Sequence, residues 1–449
     1  MKTIFTLFLS CFMLIAAFAQ QDASVTQMTL EESIKYAIEN SYDMSYADMD
    51  VRAARSRNKE LTAIGLPQIN GDVSFNNYLE LPTTVLPANA FRPDAPEGEL
   101  IGVQFGTEYN ATASLRASQL IFDGTYFIGL KAAKKYTELN KHARQQTENE
   151  IRKSITEAYG LAVLSIQSHN ILNENYASLE GLLNETEKMF EAGFREELDV
   201  DQLRLQLASL GNNRVQAERN VEITHNLLKF QMGMPVSQEV VLTSEIEELA
   251  DVSYMPQMLE REVTLDNHTD ILTAQSNVEL RQLNVRVERM AGVPNLGATF
   301  TTQQQAFRND FDFFDSEGEW FPNTFWGLKL NVPIFSGFQR YNKVQQARID
   351  VERAQRQLDQ ARESIHLEVA RQKSNFASAM EIFNTEKENL ELAEKINNTT
   401  RRKYQEGLSS SFEIQQAESQ LLNAQNSYLR AAYDVVSARA ALQKSLDIQ

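Results

Sequence analysis

The sequence predicts a mainly α-helical chain with a small β part, arranged as two similar halves. Three observations carry this. Long stretches are free of helix breakers. Four segments alternate apolar and polar residues with period two. A set of landmarks occurs twice in the same order. The 10 prolines and 18 glycines among 449 residues are few, and they cluster at these landmarks.

The chain opens with a basic Lys2 and an apolar run from Ile4 to Ala17, ended by the small-x-small site Ala17-Phe18-Ala19. This reads as a secretory signal peptide over residues 1–19, cleaved before Gln20 and too short to span a bilayer. Cys11 is the only cysteine and lies inside that run. The exported part is therefore expected to use neither disulfides nor thiol chemistry. Its charge is acidic, with 61 Asp and Glu against 43 Lys and Arg, which makes nucleic acid and anionic membrane surfaces poor partners. No later run approaches the roughly 20 apolar residues of a membrane helix. Entry into a membrane would therefore have to use a closed barrel of strands.

The duplication is read from four pairs of landmarks. Asn40-Ser41-Tyr42-Asp43 matches Asn267-His268-Thr269-Asp270, and Gly65-Leu66-Pro67 matches Gly292-Val293-Pro294. Further on, Ile121-Phe122-Asp123-Gly124 matches Ile334-Phe335-Ser336-Gly337, and Phe190-Glu191-Ala192-Gly193 matches Tyr404-Gln405-Glu406-Gly407. The spacing falls from 227 for the first two pairs to 213 and 214 for the last two, because the loop at about 79–108 is longer than its counterpart. Such self-similarity points to pseudo-symmetric halves. The expected division is a first repeat at 20–231, a linking belt at 232–262 and a second repeat at 263–449.

Each half reads helix, strand, loop, strand, long helix, turn, helix. Heptad spacing supports the helices: Ala347, Val351, Ala354, Leu358 and Ala361 step by three and four residues, as do Ile414, Ala417, Leu421 and Ala424 after the second turn. The runs from Gly124 to Phe190 and from Gly337 to Tyr404 would each be ~100 Å long as helices. The helices after the turns, about 198–231 and 412–445, reach only half as far. The pre-strand helices, roughly 30–63 and 263–290, have the length to cover the remainder.

The strands are expected at 68–78, 109–121, 295–303 and 323–335. Ile69, Val73 and Phe75 alternate with Asn70, Asp72 and Ser74, and Trp326, Leu328 and Leu330 alternate with Lys329 and Asn331. Segments of this length, with aromatic residues such as Tyr78, Phe122 and Trp320 near their ends, match membrane β-strands with polar residues inward. Four strands cannot close around a pore, so several chains would have to share one barrel.

Catalytic chemistry finds no footing. The five histidines lie far apart at spacings unsuited to a shared metal. No phosphate-binding glycine loop or nucleophile elbow is present. Carboxylate pairs such as Glu196-Glu197 lie on periodic helices and read as solvated faces. The expectation is a protein that is not an enzyme and holds no cofactor or metal.

The landmarks together resemble a known family. Met28-Thr29-Leu30-Glu31-Glu32-Ser33, then Ala37-Ile38-Glu39-Asn40 and Leu66-Pro67-Gln68-Ile69, look like the opening of the TolC-like outer membrane efflux proteins (outer membrane factors). Val332-Pro333-Ile334-Phe335-Ser336-Gly337 resembles their strand-to-helix junction, and Tyr404-Gln405-Glu406-Gly407 with Glu413-Ile414 resembles their second tip turn. The resemblance implies a homotrimer in the outer membrane of a Gram-negative bacterium, in contact with its lipid and extending into the periplasm. Each chain would give four strands to a twelve-stranded barrel and its helices to a periplasmic α-barrel. The duct would dock to a periplasmic adaptor and an inner-membrane pump. The family closes its periplasmic end with acidic side chains shortly after each tip glycine; six residues beyond Gly193 and Gly407 stand Asp199 and Glu413. The family often has a further acid three places on in the second half; that position is Gln416 here, and Gln202 is its first-half counterpart. The resemblance assigns the tip turns and adaptor contact to Phe190, Gly193, Arg195, Tyr404 and Gly407. Tyr404 and Arg195 are expected to latch the tip to a neighbouring hairpin. Asp199 and Glu413 are also ordinary helix-start positions, where the helix dipole favours acids.

Within this reading, small-molecule efflux and type I protein secretion use the same duct, and both stay open. A periplasmic coiled-coil scaffold without a pore is a further alternative, distinguished by whether the protein fractionates with the outer membrane. A secreted enzyme with helical arms is disfavoured by the missing active-site residues.

Overall fold

The computed structural model describes residues 26–251, 255–315 and 318–448; the expected signal peptide and Cys11 lie outside them. In chain order the elements are β1 (Thr26–Met28), α1 (Leu30–Asn40), α2 (Tyr42–Ala63), β2 (Gln68–Asn77), β3 (Thr83–Pro87), β4 (Leu100–Gln104), β5 (Tyr109–Phe122), α3 (Gly124–Glu191) and α4 (Glu197–Met232). They continue with β6 (Val240–Leu242), α5 (Ile246–Leu249), α6 (Met255–Glu260), α7 (Thr269–Met290), β7 (Asn295–Arg308), β8 (Phe321–Asn331), α8 (Gln339–Gln405) and α9 (Ser411–Ser445). Helix, strand, strand, long helix and returning helix therefore occur twice, with β3 and β4 forming a hairpin in the longer first loop.

The chain divides into two compact units that cut across the two repeats. One comprises residues 1–51, 139–275 and 356–449, and the other 52–138 and 276–355.

In the first unit the heptad seams are the buried stripes. Leu358 and Ile365 on α8, and Ile414, Ala417, Ala431, Val435 and Leu442 on α9, are all buried, and the alanines among them let helices approach closely. The pre-strand helices differ from the expected spans: the first starts at Leu30 but is interrupted, and the second starts late. The first breaks at Ser41, whose extended backbone (ψ 150°) ends α1 and whose hydroxyl accepts the Met44 N–H at 3.4 Å, opening α2. The second starts at Thr269 rather than at 263, after a 3-10 turn at Leu265–Asn267. Both starts coincide with the duplicated Asn40 and Asn267 landmark, which is thus a helix N-terminus and not a mid-helix feature.

Each start is held by the far end of the returning helix of its own half. Gly233 and Asp447 stand 214 residues apart, as Gly193 and Gly407 do, and both have positive φ, 77° and 54°. Gly233 caps α4 in a left-handed conformation and lies so near Asn40 that a Cβ there would sit 2.3 Å from the Asn40 carbonyl oxygen. Asp447 instead supplies a carboxylate that accepts the Thr269 N–H at 2.8 Å and its hydroxyl at 2.7 Å, capping α7 from a distance. Beside them β1 and β6 pair in parallel, and the fully buried Tyr159 of α3 donates to the Met28 carbonyl at 2.9 Å and accepts the Ser244 N–H at 3.3 Å.

In the second unit four strands form one antiparallel sheet in the order β2-β5-β7-β8. Directly opposed residues share a face. Ile69, Val73, Leu115, Phe300, Trp326 and Leu328 accordingly line one side, with Val73 85% and Trp326 74% exposed. Asn70, Asp72, Arg116, Thr301 and Lys329 line the other. Two strand ends differ from the periodicity. β7 runs on to Arg308, and β8 spans 321–331 instead of 323–335, because Pro333 has no N–H to give a ladder. Among the described residues nothing pairs with the outer edges of β2 and β8 within this sheet. No helix among the described residues is long and apolar enough to cross a membrane.

Gly233→Ala should destabilise the protein by more than the ~1–2 kcal/mol that a left-handed conformation costs an L-residue, since the new methyl also meets backbone. A lower denaturation midpoint in detergent checks this, and an unchanged midpoint would show that the contact with Asn40 is loose.

Candidate functional site

The two tip turns are built alike. At the end of α3, Gly193 (φ 77°) donates to the Phe190 carbonyl at 2.9 Å and Phe194 to Met189 at 2.8 Å. At the end of α8, Gly407 (φ 78°) donates to Tyr404 at 3.0 Å and Leu408 to Lys403 at 2.8 Å. These paired bonds are the Schellman termination, which needs a residue in the left-handed region and so selects glycine.

The next helices start equivalently. Asp199 is the third residue of α4, and its carboxylate accepts the Glu196 N–H at 3.2 Å. Glu413 is the third residue of α9; it accepts the Ser410 N–H at 3.0 Å, while Ser410 Oγ accepts the Glu413 N–H at 3.3 Å. Ser409 Oγ also donates to the Glu413 carboxylate. That bond and the Ser410 N–H hold the Glu413 carboxyl below its ordinary value. A depressed carboxyl contributes its capping above the ordinary carboxylate range and loses it as pH falls through the lowered value, so Glu413 stays charged at neutral pH. The two acids thus act as helix caps, at positions related by the duplication.

Arg195 ties the turns together. Its Nη2 donates to the Tyr404 carbonyl at 2.6 Å, its Nη1 to the Ser409 carbonyl at 3.4 Å, and its guanidinium carbon lies 4.0 Å from the centre of the Tyr404 ring. Tyr404 is 1% exposed, and its hydroxyl lies 3.1 Å from Thr186 Oγ1. Since the Thr186 hydroxyl donates to the Leu182 carbonyl at 2.8 Å, Tyr404 is the donor to Thr186. Both expected latch residues therefore bond the other hairpin of the same chain. Gln202 accepts from Ser411 Oγ at 3.0 Å, and Gln405 donates to Glu185 at 3.1 Å across the same seam. Beneath these ties lies an apolar core of Leu179, Leu183, Val200, Leu203, Tyr404 and Ile414.

With Tyr404 buried, the surface of the tip is supplied by other residues. Phe190 is 40% exposed, while Phe194, Leu198, Leu408 and Phe412 are exposed further still. Phe194 and Leu408 follow the tip glycines by one residue, and Leu198 and Phe412 by five. The duplication sets these four at equivalent positions, but as single apolar residues they carry no periodic signal. Among the described residues no His, Cys, Asp and Glu group could hold a metal ion.

The model of the outer membrane efflux protein family matches residues 33–234 and 261–447. The chain belongs to that family. Its fold is similar to that of the Campylobacter jejuni outer membrane channel CmeC, with a TM-score of 0.71 at 17% identity over 93% of this chain and 85% of that one. In sequence it is 21% identical to the alkaline protease secretion protein AprF of Pseudomonas aeruginosa, over 75% of this chain and 69% of that protein. It is 18% identical to the proteases secretion protein PrtF of Dickeya chrysanthemi, over 62% of this chain and only 60% of that protein. An efflux protein of this family resides in the outer membrane and serves as an exit duct; its four strands are a share of a barrel completed by other chains.

Arg195→Ala removes two hydrogen bonds and a cation–ring contact, together about 1.5–3 kcal/mol. Amide exchange at Glu406 to Ser411 should then speed up roughly tenfold or more. Unchanged exchange would mean that the apolar core alone holds the turns together.

Proposed function

We propose that this outer-membrane duct is the passive, trimeric outer component of a tripartite efflux pump. Its tip turns meet a periplasmic adaptor that links it to an inner-membrane transporter, and its periplasmic end is closed by rings of Asp199 and Glu413. The observation that carries the reading is the duplicated tip: two Schellman turns, each followed after six residues by an acid anchored to the start of its helix. In a trimer each acid occurs three times around the axis. Charged rings of this kind lower the energy of a cation in a constriction and raise that of an anion. Multivalent cations would bind there most strongly and plug the opening. The exposed pairs Phe194 with Leu408 and Leu198 with Phe412 supply the apolar surface for the adaptor, and the Arg195 tie keeps the two hairpins of one chain together as they move. Capping restrains both acids, and the hydrogen bonds to Glu413 favour its charged form.

A second reading, the exit duct of a protein secretion system, is favoured by one observation: the two curated relatives are protease secretion proteins. Both readings share the trimer and the gate and differ in cargo.

Single-channel currents in planar bilayers test the gate, with the native protein beside Asp199→Asn combined with Glu413→Gln. The double variant should lose cation preference and become insensitive to trivalent cations added from the periplasmic side. Selectivity and block that stay at native values would return both acids to a capping role alone.

A further inference from the structure

The polar face of the sheet is interrupted at one place. Along most of its extent the register sets side by side Asp72, Ser114, Gln303 and Asn323, and in the next row Asn70, Arg116 and Thr301. On this same face, however, Phe325 stands opposite Thr301, Phe321 opposite Gln305, and Phe307 opposite Asn110. All three belong to the β7–β8 hairpin, towards its connecting loop. The rings of Phe307 and Phe321 are 6.1 Å apart, tilted by 45°. The three are between 43% and 50% exposed, so the fold of the chain leaves about half of each ring uncovered.

On the other face, Leu115, Val73 and Phe75 keep the same rows apolar on β5 and β2, while β7 and β8 turn polar. Beyond Phe300 and Trp326 the hairpin carries Thr302 and Thr324, whose hydroxyls lie 2.8 Å apart, and then Gln304. Strands that meet lipid turn apolar residues outward and polar residues to the lumen. Phe307, Phe321 and Phe325 stand on the polar side, which faces the lumen, so lipid does not account for them. The loops at 78–108 and 309–320 join these strand ends, while the opposite ends lead into helices. With the helices in the periplasm, the loop ends face the exterior.

We propose that Phe307, Phe321 and Phe325 form an aromatic contact site on the inner wall at the outer end of the duct, which takes small apolar organic molecules, organic cations among them. The inference rests on the duct reading and narrows its cargo. The polar face is continuous with the lumen wall, so whatever leaves the duct passes these rings. Flat ring faces offer apolar area to an uncharged solute and a negative quadrupole to a cation. β8 is an edge strand that must pair with another copy, so the site lies beside the seam between chains and repeats three times. The hydrogen-bonding wall of Asn, Ser, Thr and Gln elsewhere on that face provides no such surface.

Full-length trimer in a planar bilayer tests the proposal, with tetraphenylphosphonium or tetraethylammonium added on the loop side. The two carry the same charge and differ in aromatic area. Tetraphenylphosphonium should reduce the current at a concentration at least about tenfold lower than tetraethylammonium, and a channel-free bilayer sets the background. Combining Phe307→Ser, Phe321→Ser and Phe325→Ser should bring the two blocking concentrations together, whereas the corresponding three Phe→Tyr changes should keep them apart. If the triple serine variant does not insert, Phe325→Ser alone should shift tetraphenylphosphonium block by about threefold. Equal block by the two cations in the native protein, or block unchanged by serine, would overturn the site while leaving the duct intact. A trimer that inserts and passes no current in plain KCl would overturn the duct and the site together.

Discussion

The constraint on which everything else depends is the pairing of backbone N–H and C=O groups in the sheet. β5 and β7 are paired on both sides, but β2 and β8 each leave one row of groups without a partner in the sheet. Water can satisfy such an edge, whereas the hydrocarbon of a bilayer cannot, at a cost of several kcal/mol per group. The apolar face, with Val73, Trp326, Leu328 and Leu330 largely exposed, shows that this sheet is made for hydrocarbon. Other copies must therefore complete the ladder, and the helices that follow the strands are brought together around the same axis. The trimer is in this sense a consequence of four strands per chain.

The same economy governs the tip. Each hairpin end must stop a helix, turn and start another, and the chain uses the same device twice: a left-handed glycine, then an acid that accepts backbone N–H groups. Those acids would serve any helix of this kind. In the proposed trimer, repetition around an axis would turn these capping carboxylates into a ring. Arg195 and Tyr404 join the two hairpins within one chain, so loosening between chains leaves the pairing inside each chain in place.

Much of this is legible in the sequence, for physical reasons. The long helices show through heptad seams and missing breakers, and the two tip glycines through the conformation they alone adopt cheaply. The acids at 199 and 413 stand out because the duplication aligns them. Other features depend on contacts that no local pattern records. The break at Ser41 and the late start at Thr269 are fixed by Gly233 and Asp447 from the far end of another helix. Tyr404 reads as a surface tip residue and is buried under Arg195, whose partners come from another hairpin. The four exposed apolar residues of the tip are scattered singly and give no periodic signal. The phenylalanines of the β7–β8 hairpin break the alternation, and the register shows that all three share the polar face.

Open strand edges oblige several copies to share one barrel. The mass of the detergent-solubilised complex, measured by light scattering and corrected for bound detergent, tests it most directly. Three copies per particle, stable on dilution, is the result the account predicts. A stable monomer embedded in the membrane would contradict it, because the edges of β2 and β8 would then have to be satisfied in some other way.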